Sequence, residues 1–121
     1  MEENFRIKLV NDYLKILKLS EDIHNFYKGR TILVTGGAGA IGSNLVISLS
    51  KLVGNEGMVV VLDNLSATKK NKVIDLPPLP NMMFVEGDIR SDIDLKRVFR
   101  ESPSIIFHLA AFFANQNSVD Y

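Results

Sequence analysis

The stretch "TILVTGGAGAIGSNL", residues 31–45, holds three signals in one line. Residues 31–35 are short, apolar and β-branched, the composition of a strand buried on both faces. Glycines then interrupt the run. After them Ile41, Leu45, Leu49, Leu52 and Val53 recur at helical spacing, which predicts an apolar stripe packing back onto the sheet.

A strand, a glycine turn and a helix in this order place the amides of a helix N-terminus where they face an anion, with the helix dipole favouring its charge. Side chains must leave that space. Gly36 is expected to make the tight turn out of the strand, Gly39 to let backbone approach phosphates, and Gly42 to let helix and strand pack closely; Gly37 adds conformational freedom. Ala40 and Ile41, between the last two glycines, complete the candidate cradle for a dinucleotide pyrophosphate. Glycine turns also follow strands for steric reasons alone, so the context decides. It is supplied by "MVVVLD" (58–63), a second buried strand ending in an acid. Asp63 falls roughly 20 residues after Gly42, where a carboxylate accepts from the ribose hydroxyls of the adenosine half and repels a 2′-phosphate. NAD is therefore expected over NADP, with Lys69 and Lys70 in the following loop as the features that favour the alternative.

Strand-like and helix-like stretches continue to alternate from Arg30 on, the pattern of a parallel sheet with flanking helices. "GNEG" (54–57) stops the first helix, and "NLSATKKNK" (64–72) reads as a polar loop that starts a short helix through Ile74. Pro77, Pro78 and Pro80 bar a helix from 76–81. "MMFVEG" (82–87) is the third strand. Ser91 with Asp94 has the spacing of a capping box for a helix whose buried stripe is Leu95, Val98 and Phe99. Pro103 ends it, and "SIIFHLAA" (104–111) is a fourth strand, buried, running into small residues. Residues 1–29 precede this unit. Val10, Tyr13, Leu14 and Leu17 share one helical stripe there, and Ser20 caps a second short helix closed by Gly29. They are expected to pack as a lead-in on their own domain, the alternative being an oligomer contact such as a homodimer.

Composition narrows the function classes. With 121 residues the chain has room for one ordinary domain. Fourteen Lys and Arg balance fourteen Asp and Glu, so nothing favours nucleic acid or an anionic membrane as partner. The absence of cysteine excludes disulfides, cysteine metal sites and thiol nucleophiles. No segment approaches the roughly 20 apolar residues of a membrane span, and the N-terminus lacks an apolar targeting core; the default compartment is the cytoplasm.

Together, "TGGAGAIG", "VVVLDNLS", "VEGDIRS" and "IIFHLAA" resemble, in order, the extended short-chain dehydrogenase/reductase family of NAD-dependent nucleotide-sugar epimerases and dehydratases. The resemblance implies a Rossmann-type α/β fold. It puts Asp63 and Asn64 at the adenosine ribose, Asp88 and Ile89 at the adenine, and Leu109, Ala110 and Ala111 beside the nicotinamide ribose. Asp88 can accept from an exocyclic amine, and Ile89 offers an apolar face and an amide. His108, between Phe107 and Leu109, reads as a structural histidine, and "FFANQNSVDY" (112–121) falls where relatives begin to meet substrate.

Members of this family use a Tyr-x-x-x-Lys pair in which the lysine lowers the tyrosine's pKa so that it can move a proton. Tyr13 is followed at that spacing by Leu17, Tyr27 by Thr31, and Tyr121 by nothing. The expectation is a helical extension (1–29) and a partial NAD-binding domain (30–121) of a longer enzyme whose substrate is a nucleotide sugar, the 121 residues alone being inactive. The rivals are a non-catalytic dinucleotide-binding or sensing module and an NADP-linked reductase of the same superfamily. In a chain ending at Tyr121, "SIIFHL" would form an exposed hydrophobic edge.

Overall fold

A computed structural model of the chain describes residues 5–65 and 76–110. Lys69, Lys70, the helix expected through Ile74, Ala111 and the segment 112–121 lie outside the described residues. The element order is α1 (Phe5–Leu17), α2 (Glu21–Tyr27), β1 (Thr31–Thr35), α3 (Ala40–Val53), β2 (Met58–Asp63), β3 (Met82–Glu86), α4 (Asp92–Phe99) and β4 (Ile105–His108). The strands form one parallel sheet in the order β3-β2-β1-β4. This is the first part of a doubly wound Rossmann sheet, whose order reverses between β1 and the fourth strand.

Alternation along the strands divides the core between two faces. Ile32, Val34, Val59 and Val61 pack with Val46, Leu49 and Val53 of α3, while Leu33, Val60, Leu62 and Val85 pack with Val98 of α4. Residues 59–62 are all fully buried, which explains why β2 reads as a continuous apolar run. Each such side chain contributes about 1.5–3 kcal/mol through burial.

In helix α3, Leu49 and Val53 of the expected stripe are buried and Leu45 packs partly buried beside them, but Ile41 does not join them. The helix's inner stripe is Gly42, Val46, Leu49, Ser50 and Val53; Leu45 and Leu52 flank it, and Ile41 is 80% exposed. The helix touches the glycine turn through Gly42, so the neighbouring Ile41 is rotated about 100° away from the sheet. Gly54, at φ +71°, ends α3 as expected. Asn81 then ties that end down, donating to the Ser50 and Gly54 carbonyls at 2.8 and 2.9 Å and accepting from Ser50 Oγ at 2.7 Å.

Ser91 caps α4, its Oγ accepting from the Asp94 amide at 3.3 Å. Val98 is buried and Leu95 half-buried, but Phe99, at the last position of the helix, is 46% exposed, against expectation. The fourth strand is likewise not buried throughout. Among the described residues β4 pairs only with β1 and forms the sheet edge; Ile105 and Phe107 lean on the core while Ile106 and His108 are exposed.

At the N-terminus, Ser20 caps α2 and Gly29 follows it at φ +76°. Both α1 and α2 contact α3. The apolar stripe expected on α1 is only partly inward: Val10 and Leu14 are half-buried, whereas Tyr13 and Leu17 are exposed. Ile7, Val10 and Leu14 supply the half-buried side. No described helix is long and apolar enough to cross a membrane.

Candidate functional site

The site is built where β1, β2, β3 and β4 end on the same side of the sheet. At Gly36 the chain leaves β1 with φ +77°, and the Gly36 amide donates to the Leu62 carbonyl at 2.8 Å. A methyl group on Gly36 would stand 2.7 Å from the Ala110 nitrogen, so this glycine also lets β4's exit pass close. Gly42 is excluded from having a side chain by the Gly36 carbonyl and by the Gly37 Cα, 2.8 Å from such a carbon. Gly37 departs from the expectation of extra freedom: it has no positive φ, and a Cβ there would strike Val61 at 2.7 Å. Its role is packing.

Gly39 differs from all three. Among the described residues, a methyl group there would meet nothing nearer than the Gly36 carbonyl oxygen, at 3.9 Å, so no close contact with them accounts for this glycine. Gly39 is the N-cap of α3 and offers no side-chain cap, and the first intrahelical bond runs from the Ser43 amide to the Gly39 carbonyl. The amides of Ala40, Ile41 and Gly42 precede that bond and lack acceptors within the helix, a set of donors suited to an anion.

Asp63 closes this cradle from the β2 side. Its carboxylate accepts from the Ala38 amide at 2.9 Å and the Leu65 amide at 2.6 Å, tying the glycine turn to the end of β2. A carboxylate has about four acceptor sites, so two amides leave room for ribose hydroxyls. Asn64 follows, near enough to Asp88 beyond β3 to help lower its pKa. The Asp63 carbonyl accepts the Gly87 amide at 3.0 Å. The structure thus brings Asp63, Asn64 and Asp88 together.

Arg90, which sequence reasoning passed over, holds the Asp88 carboxylate with its Nε at 3.0 Å, Nη2 at 2.7 Å and amide at 2.8 Å. These bonds, side chain first and amide second, keep the Asp88 carboxyl well below the ordinary carboxylate range, with Asn64 adding to them. The "GDIR" spacing, an acid two residues before an arginine, was the available signal. Ile89 turns its half-buried side chain to the core beside Val85 and Val98, so the apolar face expected of it is in part used within the fold.

On the other side of the switch point, the Leu109 amide donates to the Thr35 carbonyl at 2.9 Å and the Ala110 amide to Thr35 Oγ1 at 3.3 Å. His108 Nδ1 lies 2.7 Å from the same hydroxyl, so His108 joins the ends of β1 and β4 although its ring is exposed. Arg6 of α1 was also missed. It donates to Ser43 Oγ at 2.8 Å and to Asn44 Oδ1, fastening the N-terminal helix to the start of α3. No cluster of metal-ligating side chains occurs among the described residues.

A parallel sheet in the order 3-2-1-4, with a donor-lined glycine turn at the switch point and an acid at the end of β2, defines a dinucleotide-binding Rossmann fold. Residues 32–121 match the model of the NAD dependent epimerase/dehydratase family, and the chain belongs to that family. The epimerase Mth375 of Methanothermobacter thermautotrophicus is 52% identical and superposes with a TM-score of 0.69 over 82% of this chain and 28% of its own. The Bordetella bronchiseptica enzyme WbmF, solved with NAD+ and UDP, is 36% identical with a TM-score of 0.62, over 78% of this chain and 26% of its own. A UDP-glucose 4-epimerase of Neisseria meningitidis is 39% identical over 93 residues, 74% of this chain. The chain spans about a quarter of the length of that relative, 26%.

Proposed function

We propose that residues 30–121 hold NAD for an enzyme that epimerises or dehydrates a nucleotide sugar, with residues 1–29 as a helical extension. The observation that carries this reading is Gly39, a helix N-cap whose missing side chain answers to no close contact with the described residues and stands beside first-turn amides that have no acceptor within the helix. In this reading the amides of Ala40, Ile41 and Gly42 donate to the pyrophosphate. Asp63 and Asn64 take the adenosine ribose hydroxyls, and the carboxylate excludes a 2′-phosphate. Asp88 and the Ile89 amide meet the adenine edge, and the small residues Ala110 and Ala111, with Leu109, let backbone lie beside the nicotinamide ribose. When bound, NAD supplies a reversible hydride acceptor for a sugar hydroxyl carbon.

No tyrosine of this chain has a lysine four residues on, so the proton transfer that accompanies the hydride is assigned to groups outside the 121 residues. This chain's part is to bind, orient and select the cofactor. Calorimetric titration of the 121-residue chain with NAD tests the reading, with Gly39→Val as the paired variant. Saturable binding by the wild type, lost in a variant with unchanged far-UV circular dichroism, is the expected result. Binding that survives Gly39→Val would remove the cradle from the account.

A further inference from the structure

A capping box at Ser91 and Asp94 would return the Asp94 carboxylate to the Ser91 amide. It does something else. The Ser91 amide is taken by the Asp88 carbonyl at 2.9 Å, and Asp94 Oδ2 reaches past it to accept the amide of Asp88 at 2.9 Å. The carboxylate of a helix residue thus fixes the backbone of the loop that joins β3 to α4.

Resting on the NAD reading above, we propose that Asp94 is the positioning residue of the base end of the site: it fixes the Asp88 amide, and so aims the Ile89 amide and the Asp88 carboxylate as a donor–acceptor pair that selects adenine over a 6-oxo purine. The Asp88 amide is spent on Asp94, and no acceptor among the described residues takes the Ile89 amide. The remaining donor therefore stands one residue from the carboxylate. Adenine presents a matching edge, its 6-amino group donating and its N1 accepting, whereas hypoxanthine reverses both. Against hypoxanthine the Ile89 N–H would face another N–H. The carboxylate already accepts three bonds from Arg90, two on Oδ1 and one on Oδ2, and with about four acceptor sites it keeps one on Oδ2 for the adenine amine.

Gly87 bears on the same arrangement. A methyl group there would lie 2.7 Å from both Cγ and Oδ2 of Asp94 and would push this carboxylate from its place, with no left-handed backbone to require glycine. The Asp94 carboxylate is otherwise only loosely held, 3.9 Å from Arg97 Nη1.

The test compares calorimetric affinities for NAD and for nicotinamide hypoxanthine dinucleotide in the full chain and in Asp94→Ala, Asp94→Asn, Gly87→Ala and Ser91→Ala. The wild type should prefer NAD by about tenfold or more. Asp94→Ala and Gly87→Ala should bring that ratio toward one. Asp94→Asn, which keeps an oxygen to accept the Asp88 amide, should hold it, and so should Ser91→Ala, which removes only a cap. A ratio unchanged in Asp94→Ala, or in Gly87→Ala if the former does not fold, overturns the inference; so does a wild type that binds both dinucleotides equally, which leaves the NAD reading intact. A wild type that binds no NAD overturns that reading itself.

Discussion

Asp63 accepts the amide of Ala38 at 2.9 Å, so the carboxylate at the end of β2 grips the glycine turn at the end of β1. This side chain shapes the turn, and in the NAD reading proposed above its remaining lone pairs take the ribose hydroxyls.

Asp63→Ala should accordingly fail on both counts. Ala38 is only 1% exposed, and an amide left unpaired there costs about 1–3 kcal/mol. Chemical denaturation is expected to register that loss, and calorimetry a fall of at least about tenfold in NAD affinity. In the wild type NADP should bind more weakly than NAD, because its 2′-phosphate would meet this carboxylate; NADP binding as tightly as NAD would remove the ribose role.

The glycines should separate under substitution. Gly42→Ala drives a methyl group into the Gly36 carbonyl and should destabilise the chain by about 1–3 kcal/mol, the cost of overpacking. Gly39→Ala has room, so its cost should be confined to that of a poorer N-cap, up to about 1 kcal/mol in unfolding free energy, while NAD binding weakens. Paired denaturation and calorimetry on the two variants check the contrast.

Asp88 carries a pH signature. Arg90 holds its carboxyl below the ordinary range, so the folded chain keeps it charged as the pH falls through about 4, where an unfolded chain takes up the proton. The stabilising contribution is present above that ordinary value and is lost only as the pH falls through the lowered one. Carbon-detected NMR should find no titration of Asp88 down to about pH 3, and Arg90→Ala should return its midpoint toward about 4. A midpoint near the ordinary value in the wild type would contradict the arrangement.

Asn81 lies far from the ligand face, bridging Ser50 and Gly54 at the other end of α3. Asn81→Ala strands these partly buried groups and should cost about 1–3 kcal/mol in denaturation, with NAD affinity unchanged at temperatures where the chain stays folded.

The strands, their parallel arrangement and the glycine turn were legible in the sequence because continuous β-branched runs and glycines carry strong local signals. The start of the α3 stripe was not, since the helix meets the glycine turn at Gly42, a residue with no hydrophobic signal, and Ile41 next to it carries a misleading one. β4 reads as buried because Ile106 is apolar, yet its exposure depends on what lies beside the strand. Asp94 fits a capping motif, and only three-dimensional reach distinguishes its true acceptance, from Asp88, from the expected one. Arg6 lies 37 positions before Ser43, too far for any spacing rule.

Gly36, Gly39 and Gly42 look interchangeable in a line of letters, but they answer to different pressures. In a lineage that kept this fold and abandoned its ligand, purifying selection would still hold the first and third, which are pinned by Ala110 and by the Gly36 carbonyl. Position 39, which no such contact pins, would be freer to drift. In the NAD reading proposed above, its identity across a set of homologues records whether each one still binds.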